Sequence, residues 1–90
     1  MRITFIGGGN MAKALLGGLI GQGYSPSAMQ VVEPYAALHE TLSQQFGVRC
    51  VTAVDASSLL CDTVVLAVKP QQMREALTPL YGKLEQQLVV

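Results

Sequence analysis

The sequence predicts an α/β domain with a doubly wound parallel sheet, and three observations support this fold class. Short apolar runs with strand character alternate with segments in which apolar residues recur at helical spacing. The most apolar run, residues 63–68, is continuous rather than alternating, which is typical of a strand covered on both faces. Strand–helix alternation of this kind implies right-handed crossovers and helices on both faces of the sheet.

Periodicity justifies the first strand and the first helix. Residues 2–6 predict a short strand, and residues 10–22 carry apolar side chains at positions i, i+3, i+4 and i+7. Residues 23–27 contain Ser25-Pro26 and predict the turn that follows. The predicted buried face of this helix consists of Ala12, Leu15, Leu16 and Leu19.

The middle of the chain repeats the order of strand, helix and strand. Residues 29–33 predict a strand that ends before Pro34, and residues 48–51 predict a third short strand. Between them, residues 35–46 predict a helix that stops at Gly47. The predicted buried stripe of that helix consists of Tyr35, Leu38, Leu42 and Phe46.

The last part of the chain predicts a short turn, the apolar fourth strand, a helix and a fifth strand. Residues 55–60 predict a short helix or turn that Asp55 or Thr52 can cap. Residues 71–81 predict a helix that Pro79 weakens near its end. Its predicted inward side chains are Met73, Ala76, Leu77 and Leu80. Residues 88–90 predict a fifth strand that stops almost as it starts, so we expect residues 1–90 to be the first domain of a longer protein.

The composition argues against several classes of function. Half of the 90 residues are hydrophobic, 13% are charged and the formal net charge is zero, so the chain offers no cationic surface for nucleic acid. No apolar run approaches the ~18 residues of a membrane span. Cys50 and Cys61 lack metal-ligand spacing, and we interpret them as reduced core thiols of a cytoplasmic protein without a metal site.

The sequence Gly7-Gly8-Gly9-Asn10-Met11-Ala12 fits the pattern G-x-G-x-x-[GA] between a predicted strand and a predicted helix. In this pattern the first glycine allows a tight turn, the second lets a pyrophosphate approach the backbone, and the last small residue keeps the helix close to the sheet. The N–H groups of the helix start then face the phosphate oxygens.

Glu33, at the end of the second predicted strand, supplies the acidic residue that accompanies such a loop. A carboxylate at this place can accept hydrogen bonds from the ribose hydroxyls of the adenosine. The loop and the acid together predict a dinucleotide-binding, Rossmann-like domain. The alternative is a glycine-rich turn on a domain of the same fold that binds nothing.

A second candidate site is the segment Ala67-Val68-Lys69-Pro70, where the fourth predicted strand ends beside the first. Ligands bind above such a reversal of strand order, so we expect this backbone to lie near the nicotinamide half of the cofactor. Lys69 is interpreted either as a contact for ribose or phosphate or as a solvated lysine. The other polar candidates are interpreted as helix-surface residues: His39, Glu40 and Glu75. Tyr35 is interpreted as a packing residue of its helix, with a place along the adenine as the alternative.

One side of the first predicted helix is nearly free of side chains. It consists of Met11, Ala14, Gly18 and Gly21. Because glycine inside a helix costs about 1 kcal/mol relative to alanine, we interpret this side as a place of close backbone approach. The approaching backbone is either the sheet or, as we favour, a domain outside this chain.

Three segments together resemble the cofactor domain of pyrroline-5-carboxylate reductase: FIGGGNMA at residues 5–12, LGGL at 16–19 and AVKPQ at 67–71. The resemblance covers the whole chain, and the combination is more specific than the glycine pattern alone. It implies hydride transfer from a reduced nicotinamide to 1-pyrroline-5-carboxylate, which gives L-proline. It further implies a C-terminal helical domain that completes the substrate site and builds a homo-oligomer.

The site follows from the motifs and the resemblance together. No catalytic residue is assigned, because the resemblance places much of the substrate site in the second domain. The residues predicted to bind the cofactor are Ile6, Gly7, Gly8, Gly9, Asn10, Met11, Ala12, Glu33, Ala67, Val68, Lys69 and Pro70.

The family resemblance and the local sequence around Glu33 favour different cofactors. The resemblance implies NADPH, whereas Glu33-Pro34-Tyr35-Ala36 has no nearby Arg or Lys for a 2′-phosphate and makes NADH plausible as well. The family often has an asparagine before the fourth strand, but this chain has Ala53-Val54-Asp55, so no ribose contact is assigned there.

Two other functions also fit the glycine motif. A hydroxyacid dehydrogenase would explain the glycines but not Lys69-Pro70. A regulatory nucleotide-sensing domain would use the same loop and Glu33 without a hydride acceptor. Residues beyond Val90 distinguish the three, since a helical domain supports the reductase and a ligand-sensing or membrane module supports the sensor.

Overall fold

The computed structural model describes residues 2–80, 82–83 and 87–90. The five strands are β1 Ile3–Ile6, β2 Met29–Val32, β3 Arg49–Val51, β4 Thr63–Leu66 and β5 Leu88–Val89. The α-helices are α1 Asn10–Gly21, α2 Ala37–Phe46 and α3 Met73–Leu77. Three short 3₁₀ turns occupy Pro26–Ala28, Pro70–Gln72 and Thr78–Leu80.

The sheet is parallel throughout, with the strand order β3-β2-β1-β4-β5. In the central register, Ile6 lies opposite Val32 on one side and Leu66 on the other. The carboxyl ends of β1, β2 and β4 therefore reach the same edge of the sheet. The predicted doubly wound, Rossmann-like α/β fold is confirmed, including its fifth strand.

Alternate side chains of β1 point into two separate apolar cores. On one face Phe5 packs with Leu16 of α1 and Leu42 of α2, and all three are fully buried. On the other face Ile6 packs with Val64 and Leu80. Each such side chain stabilises the fold by roughly 1.5–3 kcal/mol. Helical segments therefore cover both faces, as the continuous apolar strands predict.

Two predicted core positions in the first half are wrong. Leu15 is 41% exposed, because only Ala12 and Leu16 of α1 are fully covered by the sheet and α2. Tyr35 is 65% exposed, because α2 begins only at Ala37 and the preceding residues form a turn. The predicted end of α2 is confirmed, since Gly47 has a φ of 71° and its N–H donates to the carbonyl of Ser43.

The predicted helix over residues 71–81 is divided into short pieces. A 3₁₀ turn precedes α3, and α3 ends at Leu77. Pro79 has no N–H to continue the helical hydrogen bonds, so the chain continues as a 3₁₀ turn. Of the predicted inward side chains, Leu80 is buried and the other three are half-buried. Tyr81, at the predicted end, lies outside the described residues.

The connection between β3 and β4 is tied to the sheet by side-chain hydrogen bonds. Thr4 Oγ1 donates to the carbonyl of Ser58 at 2.7 Å, and Gln30 Nε2 donates to the carbonyl of Ser57 at 2.8 Å. Asp55 caps this turn as predicted, since Asp55 Oδ1 accepts from the Ser58 N–H at 2.8 Å. That N–H and the Ser58 hydroxyl hold the pKa of Asp55 below its usual value, with a further contribution from Arg49.

No helix in the described part of the chain combines the length and the apolar character that a bilayer crossing requires.

Candidate functional site

Gly7 is the point at which three strands of the sheet meet. Its φ is 105°, a conformation that favours glycine, and its N–H donates to the carbonyl of Val32 at 2.8 Å. A Cβ atom at Gly7 would lie 2.4 Å from the carbonyl oxygen of Ala67, which follows β4. The tight turn assigned to Gly7 from the sequence is therefore present. Both the positive φ and the close approach of the Ala67 backbone require a glycine at this position.

Glu33 fastens the glycine loop to the end of β2. Its carboxylate accepts one hydrogen bond from the N–H of Gly8 at 2.9 Å and one from the N–H of Tyr35 at 2.8 Å. Its carbonyl lies 2.7 Å from Nε2 of His39, and its N–H donates to the carbonyl of Val51 at 2.8 Å. His39 is thus half-buried and bonded to the backbone, not the solvated residue that the sequence predicts.

Gly9 and the start of α1 form the open part of the loop. Gly9 is the N-cap residue, no side chain caps the helix, and the first helical bond runs from the N–H of Lys13 to the carbonyl of Gly9 at 3.0 Å. A Cβ atom at Gly9 would meet no atom of the described residues within 4 Å. Met11 is 54% exposed, whereas Ala12 is fully buried and allows α1 to approach the sheet.

A cleft of about 390 Å³ opens at this edge of the sheet, above the carboxyl ends of the strands. It brings together four of the predicted site residues, namely Ile6, Gly7, Glu33 and Val68. Gly8 is linked to it through Glu33, and Gly9 to Ala12 continue from it along the loop and α1. Ala67 lies behind Gly7, while the exposed residues Lys69 and Pro70 do not line the cleft.

Several walls of the cleft were not anticipated from the sequence. Tyr35, interpreted as a core residue with a place along the adenine as the alternative, lines it together with Pro34, and Val54 lines it from the β3–β4 connection. The segment around α3 adds Gln72, Glu75, Ala76 and Pro79. The i, i+3, i+4 spacing of Gln72, Glu75 and Ala76 was a usable signal, because it places all three on one side of a helical segment.

The charged residues in the cleft wall are both acidic. They are Glu33 and Glu75, and no Lys or Arg among the described residues lines the cleft. Burial raises the pKa of the Cys50 thiol, and the negative charge of Glu33 raises it further. Arg49, on the neighbouring strand, donates instead to Gln30 Oε1 at 2.7 Å and to Asp55 at 3.3 Å. The cleft therefore favours neutral ligand groups at the end of β2 over anionic ones.

Metal chemistry has no candidate site in the described residues, which contain no group of three or more His, Cys, Asp or Glu side chains placed to hold an ion. The site consists of a backbone loop, one oriented carboxylate and a largely apolar cleft. Such an arrangement can hold and orient a ligand.

The strand order, the glycine loop between β1 and α1 and the cleft above the strand ends define the class of protein: a Rossmann-like α/β domain. The chain belongs to the family described as NADP oxidoreductase, coenzyme F420-dependent, whose model matches residues 2–90. This family and the reductases described below imply a nicotinamide nucleotide cofactor.

Individual relatives confirm the resemblance found in the sequence. The chain is 38% identical over 79 residues to a pyrroline-5-carboxylate reductase of Vibrio alginolyticus, with 88% of this chain and 29% of the relative covered. It is 36% identical over 98 residues to that of Escherichia coli K12, covering 99% and 34%.

A solved structure agrees with these relatives. A pyrroline-5-carboxylate reductase from Coxiella burnetii matches with a TM-score of 0.81 and 34% identity, over 99% of this chain and 35% of that one. The chain thus spans about a third of the length of the relatives that it matches.

Proposed function

We propose that the protein to which this chain belongs reduces 1-pyrroline-5-carboxylate to L-proline with a reduced nicotinamide dinucleotide, and that residues 1–90 hold that cofactor. The observation that carries the proposal is the meeting of the glycine loop, Glu33 and Val68 around one cleft. We infer the identity of the substrate from the relatives named pyrroline-5-carboxylate reductase, which are similar over nearly the whole chain.

Each part of the loop has a role in holding the dinucleotide. Gly9 leaves open space where a pyrophosphate approaches, and the uncapped start of α1 offers N–H groups to its oxygens. Glu33 faces the ribose of the adenosine. Its carboxylate uses one acceptor site on each oxygen for Gly8 and Tyr35, and the remaining lone pairs are available to a diol.

The cofactor supplies the hydride for the carbon of the C=N bond, whose nitrogen gains a proton. The residues of this chain bind and orient it. The segment Ala67-Val68-Lys69-Pro70 follows β4 beside β1, and we assign its backbone to the nicotinamide side of the site. The helical domain expected beyond residue 90 completes the substrate site and forms the homo-oligomer, and we propose a cytoplasmic location.

Both nicotinamide cofactors are proposed to work, with a preference for NADPH that is smaller than is usual for the family. The carboxylate of Glu33 cannot turn away from a 2′-phosphate without losing its hydrogen bonds to Gly8 and Tyr35. Repulsion between two unit charges at 4 Å is worth roughly 1 kcal/mol in water, so NADPH is penalised but not excluded.

The test is proline-dependent reduction of NAD⁺ or NADP⁺ at alkaline pH, measured with the full-length protein by absorbance of the reduced nicotinamide. Turnover that requires proline supports the proposal. A full-length protein that binds the dinucleotide but oxidises 2-hydroxy acids instead would show a dehydrogenase of the alternative class.

The 90-residue chain is the matched control in the same assay. We expect it to bind the dinucleotide and to show no turnover, because the helices that complete the substrate site are outside it. Turnover by the purified 90-residue chain would contradict the assignment of cofactor binding to this chain and of substrate binding to the helical domain.

A further inference from the structure

The half of the cleft farther from the glycine loop has walls that the loop and Glu33 do not explain. It is apolar on both sides, with Val54 from the β3–β4 connection on one side and Ala76 of α3 and Pro79 on the other. If the loop holds the pyrophosphate and Glu33 the ribose, this half receives the adenine base. Its apolar side chains suit the two flat faces of a base.

Two polar side chains stand in this apolar half. Gln72 directly precedes α3 and Glu75 lies in its first turn, so the i, i+3 spacing puts them side by side. Neither side chain has a hydrogen-bond partner among the residues that the structure describes, and neither belongs to an ion pair there. A carboxylate only accepts hydrogen bonds, so Glu75 complements a donor on the ligand.

We propose that Glu75, assisted by Gln72, accepts a hydrogen bond from the exocyclic amino group of adenine and thereby selects the base of the cofactor. This inference rests on the proposed function, because it assumes that a dinucleotide occupies the cleft. The amino group at C6 is the donor that distinguishes adenine from hypoxanthine, which carries a carbonyl acceptor there. A carboxylate oxygen that faces the C6 substituent accepts from the amino group of adenine and is repelled by the carbonyl oxygen of hypoxanthine, whose nearest donor is the neighbouring N1–H.

A site built to accept a hydrogen bond rejects an analogue that lacks the donor more strongly than an apolar pocket rejects a change of shape. The position is also open to solvent, since Glu75 is exposed, and this reduces the discrimination. We therefore expect NADH to bind at least about fivefold more tightly than reduced nicotinamide hypoxanthine dinucleotide.

The experiment compares the affinities of these two dinucleotides for the 90-residue chain by titration calorimetry. Glu75→Ala removes the acceptor and is expected to bring the affinity ratio to within about twofold of unity. Glu75→Gln keeps an acceptor and adds a donor, so an intermediate ratio is expected. The matched control is Glu40→Gln on α2, away from the cleft, where the wild-type ratio is expected to persist.

A wild-type chain that binds both dinucleotides equally would overturn the inference. So would a Glu75→Ala variant that keeps the wild-type ratio. Each of these results leaves the proposed function standing, because NADH still binds. Failure of the wild-type chain to bind either dinucleotide would overturn both proposals.

Discussion

Two glycines of the β1–α1 loop, Gly7 and Gly8, and two inside α1, Gly18 and Gly21, are close in sequence but have opposite surroundings. At Gly7 a Cβ atom would lie 2.4 Å from a backbone oxygen, and at Gly8 it would lie 2.8 Å from the side chain of Leu42. At Gly18 and Gly21 it would meet no atom of the described residues within 4 Å. The sequence pattern alone does not separate these two groups.

The comparison shows that the two groups of glycines are present for different reasons. Gly7 and Gly8 are required by contacts within this chain, because the backbone after β4 and the side chain of Leu42 on α2 leave no room for a Cβ atom. The alternative that the sheet approaches the glycine side of α1 is wrong, since that side is exposed. The preferred interpretation, a domain outside this chain, stays a prediction.

The largest effect is expected for Gly7→Ala. The new Cβ would require the backbone at Ala67 to move, and the φ of 105° is strained for alanine. We expect the free energy of unfolding to fall by about 3 kcal/mol or more, measured by urea denaturation of the 90-residue chain. Gly9→Ala is the control, and an equal loss there would contradict the distinction between crowded and open loop positions.

Gly9→Val is expected to affect the ligand and not the fold. Because the space at Gly9 is open in the described structure, the branched side chain fits there, but it blocks the approach of a pyrophosphate. We expect at least a tenfold loss of dinucleotide affinity, about 1.4 kcal/mol, by titration calorimetry. Unchanged affinity would show that the loop does not bind the pyrophosphate, whatever the stability of the variant.

Substitution of Glu33 is expected to shift the choice between cofactors. Because its side chain also holds the loop through Gly8, Glu33→Ser weakens binding of both dinucleotides, and Glu33→Gln retains an acceptor without the charge. The ratio of kcat/KM for NADPH to that for NADH should rise roughly fivefold in both variants of the full-length enzyme. A ratio that stays flat or falls would mean that Glu33 does not face the ribose.

The smallest effect, and the only stabilising one, is expected for Gly18→Ala. Alanine at an exposed position inside α1 should raise the free energy of unfolding of the 90-residue chain by about 0.5–1 kcal/mol. The full-length protein provides the comparison. If another domain covers this side of α1, the same change there should reduce stability, and a gain in both proteins would leave the glycines without a packing role.

The sequence by itself determined the order of strands and helices, the glycine loop and the acid at the end of β2. These features are encoded locally: apolar periodicity within each segment, the φ freedom of glycine and the position of Glu33 directly after a strand. The same local signals placed Gly47 at the end of α2 and Asp55 at the β3–β4 turn.

Only the tertiary structure decided how distant segments share the cleft. Tyr35 is exposed because Glu33 holds its N–H in a turn, and Val54 and Glu75 enter the cleft because β3 and β4 end at the same edge of the sheet. Such placements depend on contacts between residues far apart in the chain. Periodicity within one segment shows which residues share a side of a helix, but not which cleft that side faces. Glu75 therefore has the sequence signature of a surface residue, and its place in the cleft wall follows only from the tertiary structure.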